Sequence, residues 1–172
     1  MVHHDTTRFS DNVTAVLSQS IMTTPRVPRI GVGVIVQRGD RVLLGKRRSA
    51  SHGDGVWQFP GGHLEWGESV LACAQREVLE ETGLAVRIIG QGPYTNDVFA
   101  AAEPAAEKHY VTLFVLAESE AGEPQRLEPD KCDAWAWFAW DALPSPLFLP
   151  IVHLLEGGWT PPPPSTQSNG AT

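Results

Sequence analysis

Three glutamates, Glu77, Glu80 and Glu81, stand at i, i+3 and i+4 in a stretch whose apolar residues Val70, Leu71, Ala74 and Val78 recur at helical spacing. On a helix those offsets bring the carboxylates to one side within a single turn. Like charges so placed repel by ~0.2–0.5 kcal/mol per pair on an exposed helix, so a compensating charge is expected. A hard, oxygen-seeking divalent cation supplies it. Mg²⁺, which binds through a few carboxylates together with substrate phosphates, suits such a cluster better than Zn²⁺ or Cu²⁺. Arg76, four residues before Glu80, is placed to hold a carboxylate. Taken alone the triplet has a plainer reading, a solvated acidic helix face. Cys73, one turn before Glu77, reads as a structural thiol rather than a nucleophile.

The surroundings narrow the choice. Gly62 is followed by five positions and Glu68, then by seven positions and Arg76-Glu77-Val78-Leu79-Glu80-Glu81-Thr82-Gly83-Leu84. This run is similar at all nine specified positions to the Nudix box, GX5EX7REUXEEXGU with U a bulky aliphatic residue, and the chain resembles the Nudix hydrolases over roughly residues 28–156. The resemblance implies an α/β fold: an α/β/α sandwich with a mixed central sheet, in which the box forms a loop, a helix and a loop. It implies Mg²⁺ or Mn²⁺ held by Glu77, Glu80 and Glu81 with a backbone carbonyl of Gly61 or Gly62. Glu77 or Glu80 would also orient or deprotonate the attacking water, Arg76 would hold these carboxylates, and Glu68 would steady the ligands from behind. A homodimer is implied as well.

Breaking a phosphoanhydride loads charge onto oxygens that cations must neutralise. Lys46 and Arg47, at the end of the second predicted strand, are candidate phosphate donors, or else solvated hairpin charges. The stretches PGGHLEWGES, LLGKRRS, HYVTLF and LEPDKCDAWAW are similar to a group of small Nudix enzymes. That group includes diphosphatases acting on noncanonical or oxidised nucleoside triphosphates and the plant cytosolic enzyme acting on dihydroneopterin triphosphate and NADH. The likeness implies conversion of a triphosphate to monophosphate and pyrophosphate, with His63 reaching the substrate; a surface histidine is the alternative. An aromatic base needs a flat apolar slot with a polar rim. Candidates are Gln58, Phe59, Tyr110, Phe148 and Leu149, each of which also reads as ordinary core. The chain lacks the SQPWPFPxS stretch of NADH-specialised members, and position 100 is Ala where many ADP-ribose hydrolases carry proline. Dinucleotide or ADP-ribose cleavage and a non-catalytic nucleotide-sensing module remain alternatives, the second disfavoured by the complete glutamate set.

A scaffold must hold these groups. With 172 residues, 42% of them hydrophobic, the chain has the size of one domain with a sizeable core. Its 20 acidic and 13 basic residues give −7, which argues against a surface that coats a nucleic-acid polymer; a small-molecule nucleotide partner is what the resemblance implies. Seven of the cations fall in residues 26–48 beside one acid, Asp40, which reads as an interaction face across from the box or as ordinary mixed surface. Two cysteines, Cys73 and Cys132, are too few for a disulfide scaffold, and no apolar run approaches the ~18 residues of a membrane span. A cytoplasmic setting without a membrane partner is expected.

Residues 1–25 read as a tail, with Met22 a candidate start; 26–159 as the folded domain; and 160–172 as a Pro-rich tail. Alternation predicts strands over 30–37 and 42–44, joined as a hairpin at Gly39-Asp40, and another over 56–59 ending at Pro60-Gly61-Gly62. A helix over 68–82 stops at Gly83; strands follow over 85–89, 109–117 and 134–140, then a helix over 147–155. The Ala-rich segment 96–108 reads as a loop in which Glu103 or Glu107 could add a metal ligand and substrate choice could reside. Trp135, Trp137 and Trp140 read as strand packing or a dimer face.

Overall fold

The computed structural model describes residues 26–50, 53–100 and 107–163; Met22, Glu103 and most of both terminal segments lie outside them. Strand β1 (Arg29–Arg38) carries the run Val34, Ile35, Val36, all fully buried. An unbroken apolar run marks a strand covered on both faces. Its residues divide by parity. Val32, Val34 and Val36 pack with Ala74 and Val78, whereas Ile35 packs with Ile151 and Leu154. The helices α1 (Val70–Thr82) and α2 (Leu149–Glu156) therefore cover opposite faces of the sheet, giving the expected α/β/α sandwich.

Among the described residues the sheet is seven-stranded and mixed. β1 runs parallel to β6 (Lys108–Glu118) from Arg29↔Tyr110 to Gln37↔Glu118. β5 (Arg87–Phe99) adds antiparallel to β6. β2 (Arg41–Arg47) meets β1 only at Gln37↔Val42 and Arg38↔Arg41, so the predicted hairpin exists at its base alone. Along its whole length β2 pairs with β7 (Cys132–Ala139), and at Gly45 and Lys46 with β3 (Trp57–Gln58), while β1 pairs with β4 (Gly61–His63). The Gly61-Gly62 segment, read as a strand end, is thus itself a short strand laid against Val32 and Gly33.

Other boundaries shift for local reasons. Ser69 caps α1, its Oγ accepting from the Ala72 N–H at 3.1 Å, so Glu68 stands just outside the helix. Gly83, at φ +71°, closes it. β5 continues to Phe99 through irregularities between Ile88 and Gly90 and between Gln91 and Tyr94, which removes residues 96–99 from the predicted loop. Trp140 leaves the strand for a 3-10 turn, and α2 begins at Leu149. Trp135 and Trp137 pack on the α1-side core and Trp140 on the α2-side core. Three cations of the basic segment are paired with acids: Arg26 with Glu107, Arg38 with Glu123, and Arg48 with Asp133. No helix among the described residues is long and apolar enough to cross a membrane.

Candidate active site

Arg76 is the hub of the carboxylate cluster. Its guanidinium grips Glu68 with two parallel bonds, Nε to Oε1 at 2.8 Å and Nη2 to Oε2 at 2.9 Å. It also donates to Glu77 Oε1 at 2.8 Å and Glu80 Oε2 at 3.2 Å. Because Glu68 precedes the helix, its carboxylate folds back to reach Arg76 eight residues on. The Arg76 bond holds Glu68 well below the ordinary carboxylate range, at about 2. Cys73 is fully buried beneath this cluster and its thiol is pushed up to about 12 by burial, which makes it structural.

Glu81 stands outside Arg76's reach and is buried. Its Oε2 accepts the Gly61 N–H at 3.0 Å. Burial pushes the carboxyl up to about 8, the Gly61 bond pulls it back, and the charge of Glu77 pushes it up again. Gly62 lies against Glu77: a Cβ there would sit 2.6 Å from Oε2. At Gly61, with φ +147°, a Cβ would collide with the Val32 carbonyl. Among the described residues no three carboxylate, imidazole or thiolate groups already stand together as a metal cage, and Arg76 engages Glu77 and Glu80. The donor set nonetheless fits a hard divalent cation. Its donors are oxygens, and the charge of Glu77 opposes ionisation of Glu81, which a nearby double positive charge would relieve.

The glycine pair also borders a cleft. Gly31 and Gly33 of β1 with Tyr110, Thr112 and Phe114 of β6 form its base; Gln58, Phe59, Gly61, Gly62 and His63 form one side; Phe99, Phe148, Pro150 and Ile151 form the other. A Cβ at Gly33 would press on Phe114 at 3.0 Å, so glycine there keeps the base open. An aromatic arc runs along the cleft. Phe148 stacks on Phe99 with ring centres 5.3 Å apart, Phe99 meets Tyr110 edge-on at 5.9 Å, and the Tyr110 hydroxyl lies 3.0 Å from His63 Nε2. Arg47 closes it, its guanidinium 5.1 Å from the Phe148 ring centre and donating to Gln58 Oε1 at 2.7 Å. Burial lowers the Arg47 pKa while Glu81 raises it, so the two charges sense each other across the glycines. Burial, then Arg29, lowers His63, which favours its neutral form.

The expected residues are placed unevenly. His63, Arg47, Gln58, Phe59, Tyr110 and Phe148 all border the cleft. Lys46 does not: it is exposed, and adjacent strand residues face opposite ways, so only Arg47 turns inward. Leu149 opens α2 facing elsewhere, while Pro150 and Ile151 meet the cleft. Glu80 is half-exposed on the outer side of α1, and Glu107 is engaged by Arg26 at 3.3 Å, remote in its partners from the box. Sequence reading missed Phe99 and Thr112. Thr112 had a signal, two residues after Tyr110 on one strand face.

The NUDIX domain pattern matches residues 27–155. The NAD-capped RNA hydrolase NudC of Chromobacterium violaceum is 33% identical over 131 residues, covering 74% of this chain and 45% of that protein. The RNA pyrophosphohydrolase of Bartonella bacilliformis is 30% identical over 155 residues, covering 73% of this chain and 89% of that one. The MutT NUDIX hydrolase from Burkholderia pseudomallei has a crystal structure that matches with a TM-score of 0.67 and 37% identity, covering 76% of this chain and 97% of that one. The chain spans less than half the length of the NudC relatives, 45% in one and 36% in another. With the pattern covering most of its length and the box intact, the chain belongs to the Nudix family.

Proposed function

We propose that this protein is a divalent-metal-dependent hydrolase that cleaves a phosphoanhydride in a ring-bearing nucleoside triphosphate, releasing monophosphate and pyrophosphate. The substrate is a noncanonical or oxidised deoxynucleotide or dihydroneopterin triphosphate. The observation that carries the reading is the Gly61-Gly62 junction, which touches Glu81 and Glu77 on one side and borders the aromatic cleft on the other. A substrate whose ring enters the cleft presents its phosphates to the carboxylates.

Glu77 and Glu81, with the Gly61 or Gly62 carbonyl and Glu80 at the helix surface, would hold Mg²⁺ or Mn²⁺. When bound, the ion neutralises phosphate charge and acidifies water. Arg76 fixes the directions of Glu77 and Glu80, either of which accepts the proton of the attacking water. Glu68 holds Arg76 in place through its two bonds. Arg47 supplies positive charge at the cleft end nearest Glu81, and Gln58 orients it. His63 and Tyr110 offer polar atoms to the ring edge, and Phe59 and Phe148 offer apolar surface.

The NudC relatives favour a second reading, cleavage of a dinucleotide such as NADH to two monophosphates. A chromatographic screen for pyrophosphate and for monophosphate products separates the two. Its substrates are the dNTPs, oxidised and methylated dNTPs, dihydroneopterin triphosphate, NADH, ADP-ribose and an NAD-capped RNA, each with Mg²⁺ and with EDTA. Pyrophosphate from a triphosphate, abolished by EDTA, is the expected result. Two monophosphates from NADH would support the second reading, and no metal-dependent release from any substrate would leave a nucleotide-binding module. The family resemblance also implies a homodimer, which light scattering tests.

A further inference from the structure

The inward face of β5 carries a polar row the proposed chemistry does not use. Thr95, Asp97 and Phe99 alternate with Asn96 and Val98, and Asp97 is completely buried. Its Oδ1 meets Nδ1 of His153 on α2 at 2.7 Å. Its Oδ2 accepts from Thr95 Oγ1 at 2.8 Å and from Thr112 Oγ1 on β6 at 3.2 Å. A carboxyl taken out of water is costly unless hydrogen-bonded, so its partners are bound to stay where they are.

Those partners connect the cleft base to the helix that lines one of its sides. Thr112 forms part of the base and Phe99 part of that side, while α2 contributes Pro150 and Ile151, with Phe148 immediately before it. The body of α2 otherwise rests on the sheet through Ile151 and Leu154, apolar contacts that resist separation but have no directional preference. A hydrogen bond is directional, and the one between His153 and Asp97 gives α2 an orienting contact with β5.

We propose that Asp97 and His153 are positioning residues: they set α2 against β5 and β6 and thereby tune the cleft to the aromatic ring of a nucleotide, without touching the reacting phosphates. The proposal rests on the reading of the cleft as the ring site. Its effect falls on ring affinity, and it leaves the carboxylate cluster alone.

The test compares wild type with His153→Ala and His153→Gln, the second keeping a donor for Asp97. His153 is part-exposed and both variants retain the apolar face of α2, so the fold is expected to survive. Hydrogen exchange over residues 149–156 should quicken roughly tenfold in His153→Ala. Calorimetric Kd for dGMP should rise roughly tenfold, with Kd for pyrophosphate and kcat at saturating dGTP within about twofold of wild type. His153→Gln should recover most of both losses. Unchanged exchange and dGMP affinity in His153→Ala would overturn the proposal, as would equal weakening of dGMP and pyrophosphate binding, or lower kcat at constant KM. Should wild type bind no dGMP and hydrolyse no nucleotide, the cleft reading fails on its own. Exchange in α2 then still decides the positioning role, quickened exchange supporting it and unchanged exchange overturning it.

Discussion

The backbone N–H of Gly61 reaches Oε2 of Glu81 at 3.0 Å, across 20 residues of chain. This bond ties the short strand that edges the cleft to the helix that carries the carboxylates. It places the buried member of the glutamate set directly behind the glycines a substrate must pass. Glycine is required on both sides of the junction, at Gly61 by the Val32 carbonyl and at Gly62 by Glu77.

Gly62→Ala tests how closely that junction is built. The new methyl group must displace the Glu77 carboxylate, which Arg76 holds at 2.8 Å. A misplacement of this order should lower kcat by about 10²-fold, with a melting temperature only a few degrees lower. Steady-state kinetics beside thermal denaturation checks it; wild-type kcat would show that Glu77 needs no such space.

Glu68 gives the protein a specific acid sensitivity. Its folded pKa lies near 2 against an ordinary 4.5, because Arg76 stabilises the charged form. A depressed carboxyl pKa contributes stability that is fully present above the unfolded value and lost as pH falls through the folded one. Urea midpoints measured from pH 5 down to 2 should therefore fall less steeply in Glu68→Gln than in wild type. Parallel curves would mean that the Arg76 bond does not distinguish the two protonation states.

Both cysteines should be inert in the native protein. Cys73 and Cys132 are buried, and burial pushes their thiols up to about 12 and about 11. At pH 8 the thiolate fraction is then negligible. Iodoacetamide followed by intact-mass measurement should show no adduct until denaturant is added, then two. Rapid native labelling of either would contradict the packing at that site.

Much of the site was legible because its signals are local. The 3.6-residue period of Val70, Ala74 and Val78 marks the buried side of α1, and fixed spacing brings Glu68, Arg76 and Glu77 together. β5 was legible only at its start. Gly90, Gly92 and Pro93 imitate a turn where the strand merely buckles, and inward-facing Thr95 and Asp97 break the apolar alternation that reveals a strand. The Asp97–His153 contact has no local signal at all, since 56 residues separate the two and only the fold brings them together. Lys46 and Leu149 lie off the cleft for a related reason. Proximity in sequence to a cleft residue says little when the next residue on a strand or helix faces another way.

The most direct test of the metal-dependent hydrolase is Glu81→Gln. The neutral amide matches the buried carboxyl in shape and can still accept the Gly61 N–H, so the metal-free protein should melt no lower than wild type. It cannot supply the negative charge that a divalent cation requires, so kcat for Mg²⁺-dependent pyrophosphate release should drop on the order of 10²–10³-fold or more. A folded variant with wild-type turnover would contradict the account.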